Sequence, residues 1–268
     1  MRIVDLRWSL TPPSGRERYE AGHIPGAVFL DLDTDISAPR GTGPGRHPIP
    51  AGDQLARVLS RNGIGDEHLV VAYDDASASI AARLWWLFRH FGHDGKAAVL
   101  DGGIQAWAAG GGPLTRDLPA LAPASWTARP PRTDDVVDAR FVDRARLDPA
   151  TILLDVRAAD RYRGEVEPVD PRAGHIPGAR SAPWAGNIAA DGALLPPNEL
   201  RERYERLGVG PGRPVVAYCG SGVTATQSIL AMQLAGIPAR LYEGSWSDWS
   251  ADAARPLATG PQPLGDGS

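Results

Sequence analysis

Apolar positions along this chain alternate between short continuous runs and helical spacing. Val70–Tyr73 (VVAY) and Pro214–Tyr218 (PVVAY) are brief apolar runs, the pattern of strands buried on both faces of a parallel sheet. After the first, Ile80, Leu84, Leu87, Phe88 and Phe91 recur at helical spacing. After the second, Val223, Thr226, Ile229, Leu230 and Leu234 do the same, and Gly236 ends the run. Pro50 followed by Leu55, Val58 and Leu59 predicts a further helix, matched by Pro197 through Leu200, Tyr204 and Leu207. Strands alternating with helices predict an α/β fold in which a mostly parallel sheet carries helices on both faces. Right-handed crossovers then leave few topologies.

The pattern occurs twice. Ala21–Ala27 and Ala173–Ala179 both read AGHIPGA. Ile3–Arg7 (IVDLR) stands before the first copy as Leu153–Arg157 (LLDVR) stands before the second. VVAY at Val70 returns at Val215, and Asp101–Trp107 (DGGIQAW) is echoed by Glu243–Trp249 (EGSWSDW). Four matched blocks in one order predict two tandem copies of one domain. The expected division is residues 1–117, a Pro-rich extended linker over 118–133, a second domain over 134–258 and a disordered Gly/Pro-rich tail over 259–268.

The repeat is also an internal control, because a feature in both copies serves the fold and a feature in one is a candidate for chemistry. By that test His23 and His175 are structural, in turns fixed by Pro–Gly. Asp5–Arg7 and Asp155–Arg157 are expected to be partly buried ion pairs holding the first strand of each copy.

Composition narrows the function classes. Hydrophobic residues are 43% and charged residues 22%, as in an ordinary globular protein, and the net charge is −4 with no basic block. Nucleic acid is therefore not an expected partner. The run Ile80–Phe91 is broken by Arg83, Arg89 and His90, so no membrane span is expected, and Met1–Leu10 does not read as a signal peptide. The single cysteine cannot form an internal disulfide, which fits a reducing, cytoplasmic compartment.

That cysteine stands where the two copies part. After VVAY the second copy continues Cys219-Gly220-Ser221-Gly222-Val223-Thr224, whereas the first continues Asp74-Asp75-Ala76-Ser77-Ala78-Ser79. Cys219 thus falls at the C-terminal end of a buried strand, immediately before a helix, where open α/β sheets place ligands. Glycines there let successive N–H groups converge into an anion-binding nest, and the following helix adds the positive end of its dipole. Asp74 cannot attack sulfur, so the first copy is expected to be catalytically silent. A cysteine phosphatase would use a similar cradle but wants an arginine six residues after the nucleophile, where this chain has Ala225.

With LDVR, AGHIPGA and YEGSWSDW, the loop Cys219–Ala225 (CGSGVTA) resembles the tandem rhodanese family over nearly the whole chain. The resemblance implies two rhodanese-like domains, the C-terminal one catalytic, carrying sulfur as a persulfide on Cys219 with no metal or organic cofactor. The loop is closest to that of the 3-mercaptopyruvate sulfurtransferases; thiosulfate-preferring relatives place cations after the cysteine, where this chain has Gly220 and Ser221. It further implies that Ser221 works with a histidine and an aspartate from the N-terminal domain, for which His47 and Asp33 are the candidates. Gly220, Gly222, Val223 and Thr224 would line the donor site. Arg161, which has Thr11 as its counterpart, would bind the donor's carboxylate. A second arginine would be Arg172, at the end of a segment Gly164–Arg172 that carries an insertion, or else Arg163 just before it. The expected partners are a small-molecule sulfur donor and a thiol, cyanide or thioredoxin-like acceptor, with a monomer as the expected state. Thiosulfate transfer by the same fold and a non-catalytic sulfur-binding or partner-binding module are the alternatives.

Overall fold

The computed structural model describes residues 1–265. It divides into two compact units: residues 1–39, 49–133 and 189–194 form the first, and residues 40–48, 134–188 and 195 onward form the second. The units are therefore not contiguous in sequence. The loop 40–48, expected within the first domain, belongs to the second, and 189–194 belongs to the first.

The first unit holds a four-stranded sheet of β1 (Arg2–Asp5), β2 (Ala27–Phe29), β3 (Val70–Tyr73) and β4 (Ala97–Val99), in the order β2-β1-β3-β4. All three pairings are parallel. Its helices are α1 (Gly15–Ala21), α2 (Gly52–Arg61), α3 (Ala81–His90) and α4 (Gly103–Ala109). Helix α3 matches the apolar run after Val70–Tyr73, and all of it except Arg89 is buried, which is why its sequence is apolar around most of its circumference. The stretch 118–133 has no helix or strand, as its prolines dictate, yet it is not a free spacer. Trp126 is buried and stacks on His93 with ring centroids 4.5 Å apart, and Ala124 N–H donates to the Ser60 carbonyl at 3.0 Å.

The second unit holds five parallel strands in the order β5-β9-β8-β6-β7: β5 (Val136–Val137), β6 (Ile152–Asp155), β7 (Arg180–Ser181), β8 (Val215–Tyr218) and β9 (Arg240–Tyr242). Its helices are α5 (Ala139–Ala145), α6 (Ala159–Arg163), α7 (Pro197–Arg206), α8 (Ala225–Leu234) and α9 (Ser245–Trp249), with a 3-10 turn at Trp184–Asn187. Strand β8 is central and wholly buried, as its unbroken VVAY run predicts. Helix α8 begins at Ala225, two residues after the start of its apolar pattern, because Val223 and Thr224 lie in the turn ahead of it. The tail is placed as far as Gly265: Gly260 N–H donates to the Arg163 carbonyl at 2.9 Å and Gly178 N–H to the Pro263 carbonyl at 2.7 Å. The disorder expected from residue 259 is thus corrected over 259–265, where main-chain hydrogen bonds hold a segment too poor in apolar residues to look ordered. The remaining three positions of that expectation lie outside the described residues.

The features shared by both copies serve the fold. Arg7 grips Asp5 through Nε and Nη2, with Nη2–Oδ2 at 2.6 Å, and Arg157 grips Asp155 in the same way at 2.6 Å. Each arginine also donates to a carbonyl ahead of the HIPG turn, Gly22 for Arg7 and Gly174 for Arg157. His23 and His175 are fully buried and stack on Tyr19 and Tyr162 at 3.8 and 3.7 Å. Each ring sets Nδ1 2.8 Å from that tyrosine's carbonyl, so both histidines are occupied by local backbone. A buried ion pair costs desolvation, and here multiple hydrogen bonds offset it. Burial lowers the Arg157 pKa, but the adjacent Asp155 charge and its hydrogen bond outweigh this and hold it above the ordinary arginine value.

Among the described residues no helix is long and apolar enough to cross a membrane, and no cluster of His, Cys, Asp and Glu has the form of a metal site.

Candidate active site

Cys219 follows the last residue of β8 and is buried. Its position is fixed from α9 and the turn before it. Cys219 N–H donates to Ser245 Oγ at 3.1 Å, while the carbonyls of Cys219 and Gly220 accept from Trp246 and Ser247 N–H, both at 2.9 Å. Gly222 sits at φ +77°, and a Cβ there would lie 2.3 Å from the Glu243 carbonyl oxygen, so only glycine fits. Gly220 is different: it has no left-handed φ, and a Cβ on it would approach Nη2 of Arg46 at 3.2 Å and Nη1 of Arg161 at 3.5 Å. Its missing side chain leaves room between the cysteine loop and two guanidinium groups. From Thr224 the chain enters α8, whose N-terminal dipole end faces the loop.

The first copy shows what such a loop does with an anion. Asp74, at the position equivalent to Cys219, is fully buried, and its carboxylate accepts from four backbone N–H groups: Ala76 (2.9 Å), Ala78 (3.0 Å), Ile80 (2.8 Å) and Ala81 (2.8 Å). Ser77 and Ala78 take left-handed φ angles of 51° and 67° to bring those donors inward. The loop is thus a nest filled by its own side chain. Burial pushes the Asp74 carboxyl pKa up, against the N–H bonds that pull it down.

Beside Cys219 stand the residues of the 40–48 loop. Arg46 N–H donates to Ser247 Oγ at 3.1 Å, and Nδ1 of buried His47 lies 2.7 Å from Oγ of buried Ser221. The expected His47–Ser221 pairing is therefore present within the second unit. Asp33 is exposed in the first unit, where its Oδ2 accepts from the Trp8 indole at 2.8 Å and its own N–H donates to Asp31 Oδ1.

Arg161, on α6, directs Nη2 at Glu167 Oε1 (2.6 Å) and Asp170 Oδ2 (3.3 Å), while its buried Nε has no hydrogen-bond partner. Arg172 has a structural task instead. It donates to the carbonyls of Trp249, Ser250, Asp252 and Arg255 and so secures the C-terminal end of α9. Arg163 forms an exposed pair with Glu165 at 2.7 Å. The second guanidinium beside Gly220 is Arg46, which sequence reasoning missed. The signal was its place immediately before His47, in a loop rich in glycine and proline. Val223 and Thr224 turn the chain into α8, their carbonyls accepting from Thr226 and Gln227 N–H.

A model of the rhodanese-like domain matches residues 1–110 and again 135–252. A Pseudomonas aeruginosa protein named "Probable 3-mercaptopyruvate sulfurtransferase" is 46% identical over 96% of this chain and 92% of its own length. A Mycobacterium tuberculosis relative with a provisional name as a thiosulfate sulfurtransferase is 38% identical over 96% of this chain and 90% of its own. The solved 3-mercaptopyruvate sulfurtransferase from Leishmania major superposes with a TM-score of 0.79 at 33% identity, covering 93% of this chain and 70% of that one. Two copies of one α/β domain, a cysteine after the central strand of the second and a self-filled nest in the first, together with these matches, place this chain in the rhodanese-like family as a tandem-domain sulfurtransferase.

Proposed function

We propose that this sulfurtransferase takes the thiol sulfur of 3-mercaptopyruvate and passes it, as the sulfane sulfur of a Cys219 persulfide, to a thiol, cyanide or a reduced thioredoxin-like protein. The single observation that carries the reading is the 2.7 Å contact between His47 Nδ1 and Ser221 Oγ, two residues after Cys219. Breaking the C–S bond of 3-mercaptopyruvate leaves the enolate of pyruvate, which must gain a proton. Thiosulfate releases sulfite and needs no such proton. A hydroxyl–imidazole pair beside the nucleophile is therefore the equipment one donor requires and the other does not.

The reaction is ping-pong. The Cys219 thiolate attacks the donor sulfur, the C–S electron pair departs onto pyruvate, and the Ser221–His47 pair supplies the proton that completes it. Arg161 and Arg46 hold the donor's carboxylate by charge-assisted hydrogen bonds. The N–H groups from Gly220 to Thr224 stabilise the persulfide left on Cys219, as the equivalent groups hold the Asp74 carboxylate. The acceptor then attacks the outer sulfur and releases Cys219. Asp33 retains the role the family resemblance gives it, support of His47, and Asp33→Asn tests that assignment. The single cysteine supports a reducing, cytoplasmic setting, and the tandem design supports a monomer as the working form.

The test is initial rates with 3-mercaptopyruvate and with thiosulfate, one acceptor and one preparation, against Cys219→Ser. The expected result is preference for 3-mercaptopyruvate and no turnover in the variant. Preference for thiosulfate would overturn the donor assignment, and an active Cys219→Ser protein would overturn the persulfide.

A further inference from the structure

The arginines beside Cys219 are already paired. The short insertion 164–172 carries two carboxylates back toward them, and both side chains are buried, Glu167 at 4% and Asp170 at 3% exposure. Asp170 bridges Arg46 and Arg161, the two guanidinium groups that flank Gly220. Glu167 bridges Arg161 and Arg157, and Arg157 also holds Asp155. Three arginines thus face three carboxylates in one connected cluster against the loop of the nucleophile, and their formal charges cancel.

Such a cluster is an odd choice for stability. Burying acidic groups against arginines returns little net stability compared with apolar packing, because desolvation consumes the Coulomb gain. Burial also pushes the Asp170 carboxyl pKa up, with Arg46 opposing. What the cluster does set is the potential at the mouth of the cysteine nest. With Asp170 charged, an incoming anion meets arginines whose field is cancelled. A dianion loses twice as much of that attraction as a monoanion does.

We propose that Asp170 is a specificity-determining residue, which discriminates against dianionic sulfur donors by neutralising Arg46 and Arg161 beside Cys219. It does not touch the reacting atoms; it acts through the two arginines. The inference rests on the reading of those arginines as the donor's anion site.

The experiment measures kcat/KM for thiosulfate and for 3-mercaptopyruvate in the wild type, Asp170→Asn, Asp170→Glu and Arg46→Gln. Asp170→Asn adds one net positive charge and is expected to raise the thiosulfate-to-3-mercaptopyruvate ratio about tenfold or more, from Coulomb attraction at an intermediate dielectric. Asp170→Glu should restore the wild-type ratio, and Arg46→Gln, which leaves net negative charge, should move it the other way. An unchanged or lowered ratio in Asp170→Asn overturns the proposal. If that variant does not fold, a ratio in Arg46→Gln that fails to fall overturns it instead. The wild-type donor preference reads out the proposed function separately, since the shift on substitution is scored relative to whichever donor the wild type favours.

Discussion

His47 Nδ1 and Ser221 Oγ lie 2.7 Å apart although 174 residues separate them in the chain. The contact exists because the loop 40–48 leaves the first half of the sequence and packs with the second unit. Gly45 makes that packing possible: at φ +73°, a Cβ on it would lie 2.5 Å from the Gly244 carbonyl oxygen. The loop can therefore lie directly against the turn that anchors Cys219.

If this pair manages the proton of the departing enolate, its loss should be donor-specific. His47→Ala and Ser221→Ala are each expected to lower kcat with 3-mercaptopyruvate by roughly 10²- to 10⁴-fold, the usual worth of general acid–base catalysis. The rate with thiosulfate should change far less. Equal losses with both donors would mean that the pair only holds the loop in place.

Gly222→Ala should damage both the loop and the reaction. The left-handed backbone costs a non-glycine residue about 1–2 kcal/mol, and the Glu243 carbonyl 2.3 Å from the new Cβ must also move. The expected outcome is a fall in thermal stability together with at least about a tenfold loss of kcat/KM for every donor. Urea denaturation and steady-state rates on one preparation check both.

Asp74→Ala tests the self-filled nest. Four backbone N–H groups would lose their acceptor, at a cost of about 1–3 kcal/mol for a buried group left unsatisfied. Turnover at Cys219 should survive wherever the protein remains folded. A variant as stable as the wild type would show that the nest does not need its carboxylate.

Asp170 gives a signed dependence on pH. Burial holds its carboxyl above the ordinary value of 3.8. A raised carboxyl contributes most below its unfolded value, and that contribution is lost as pH rises through the folded value. Wild type and Asp170→Asn should therefore be closest in stability near pH 3, with the wild type losing ground to the variant as pH rises toward 7. Paired melting curves across that range measure the difference, and a gap that closes with rising pH would reverse the sign.

Much of the fold was legible in local sequence. A strand buried on both faces must be an unbroken apolar run, which identified β3 and β8; a helix facing the core must repeat near every 3.6 residues, which identified α3 and α8. The duplicated blocks separated structural histidines from candidate chemistry, because His23 and His175 recur while Cys219 does not. These signals are periodic or local, and so they survive without coordinates.

The sequence by itself determined the two-copy α/β architecture, the place of Cys219 at a strand end, and the resemblance that put Ser221, His47 and Arg161 near it. Only the tertiary structure put Arg46, beside Arg161, against the Cys219 loop. Arg46 and Arg172 are equally polar in a linear reading, but one flanks Gly220 and the other secures the end of α9. The tertiary structure likewise turned a short acidic insertion into a charge-cancelling cluster, placed the loop 40–48 in the second unit, and ordered a tail that composition alone left free. The physical reason is the same in each case. Ion pairs and main-chain hydrogen bonds such as Arg46–Asp170 and Gly260–Arg163 leave no period in the sequence, because they depend on which segments the folded backbone brings together.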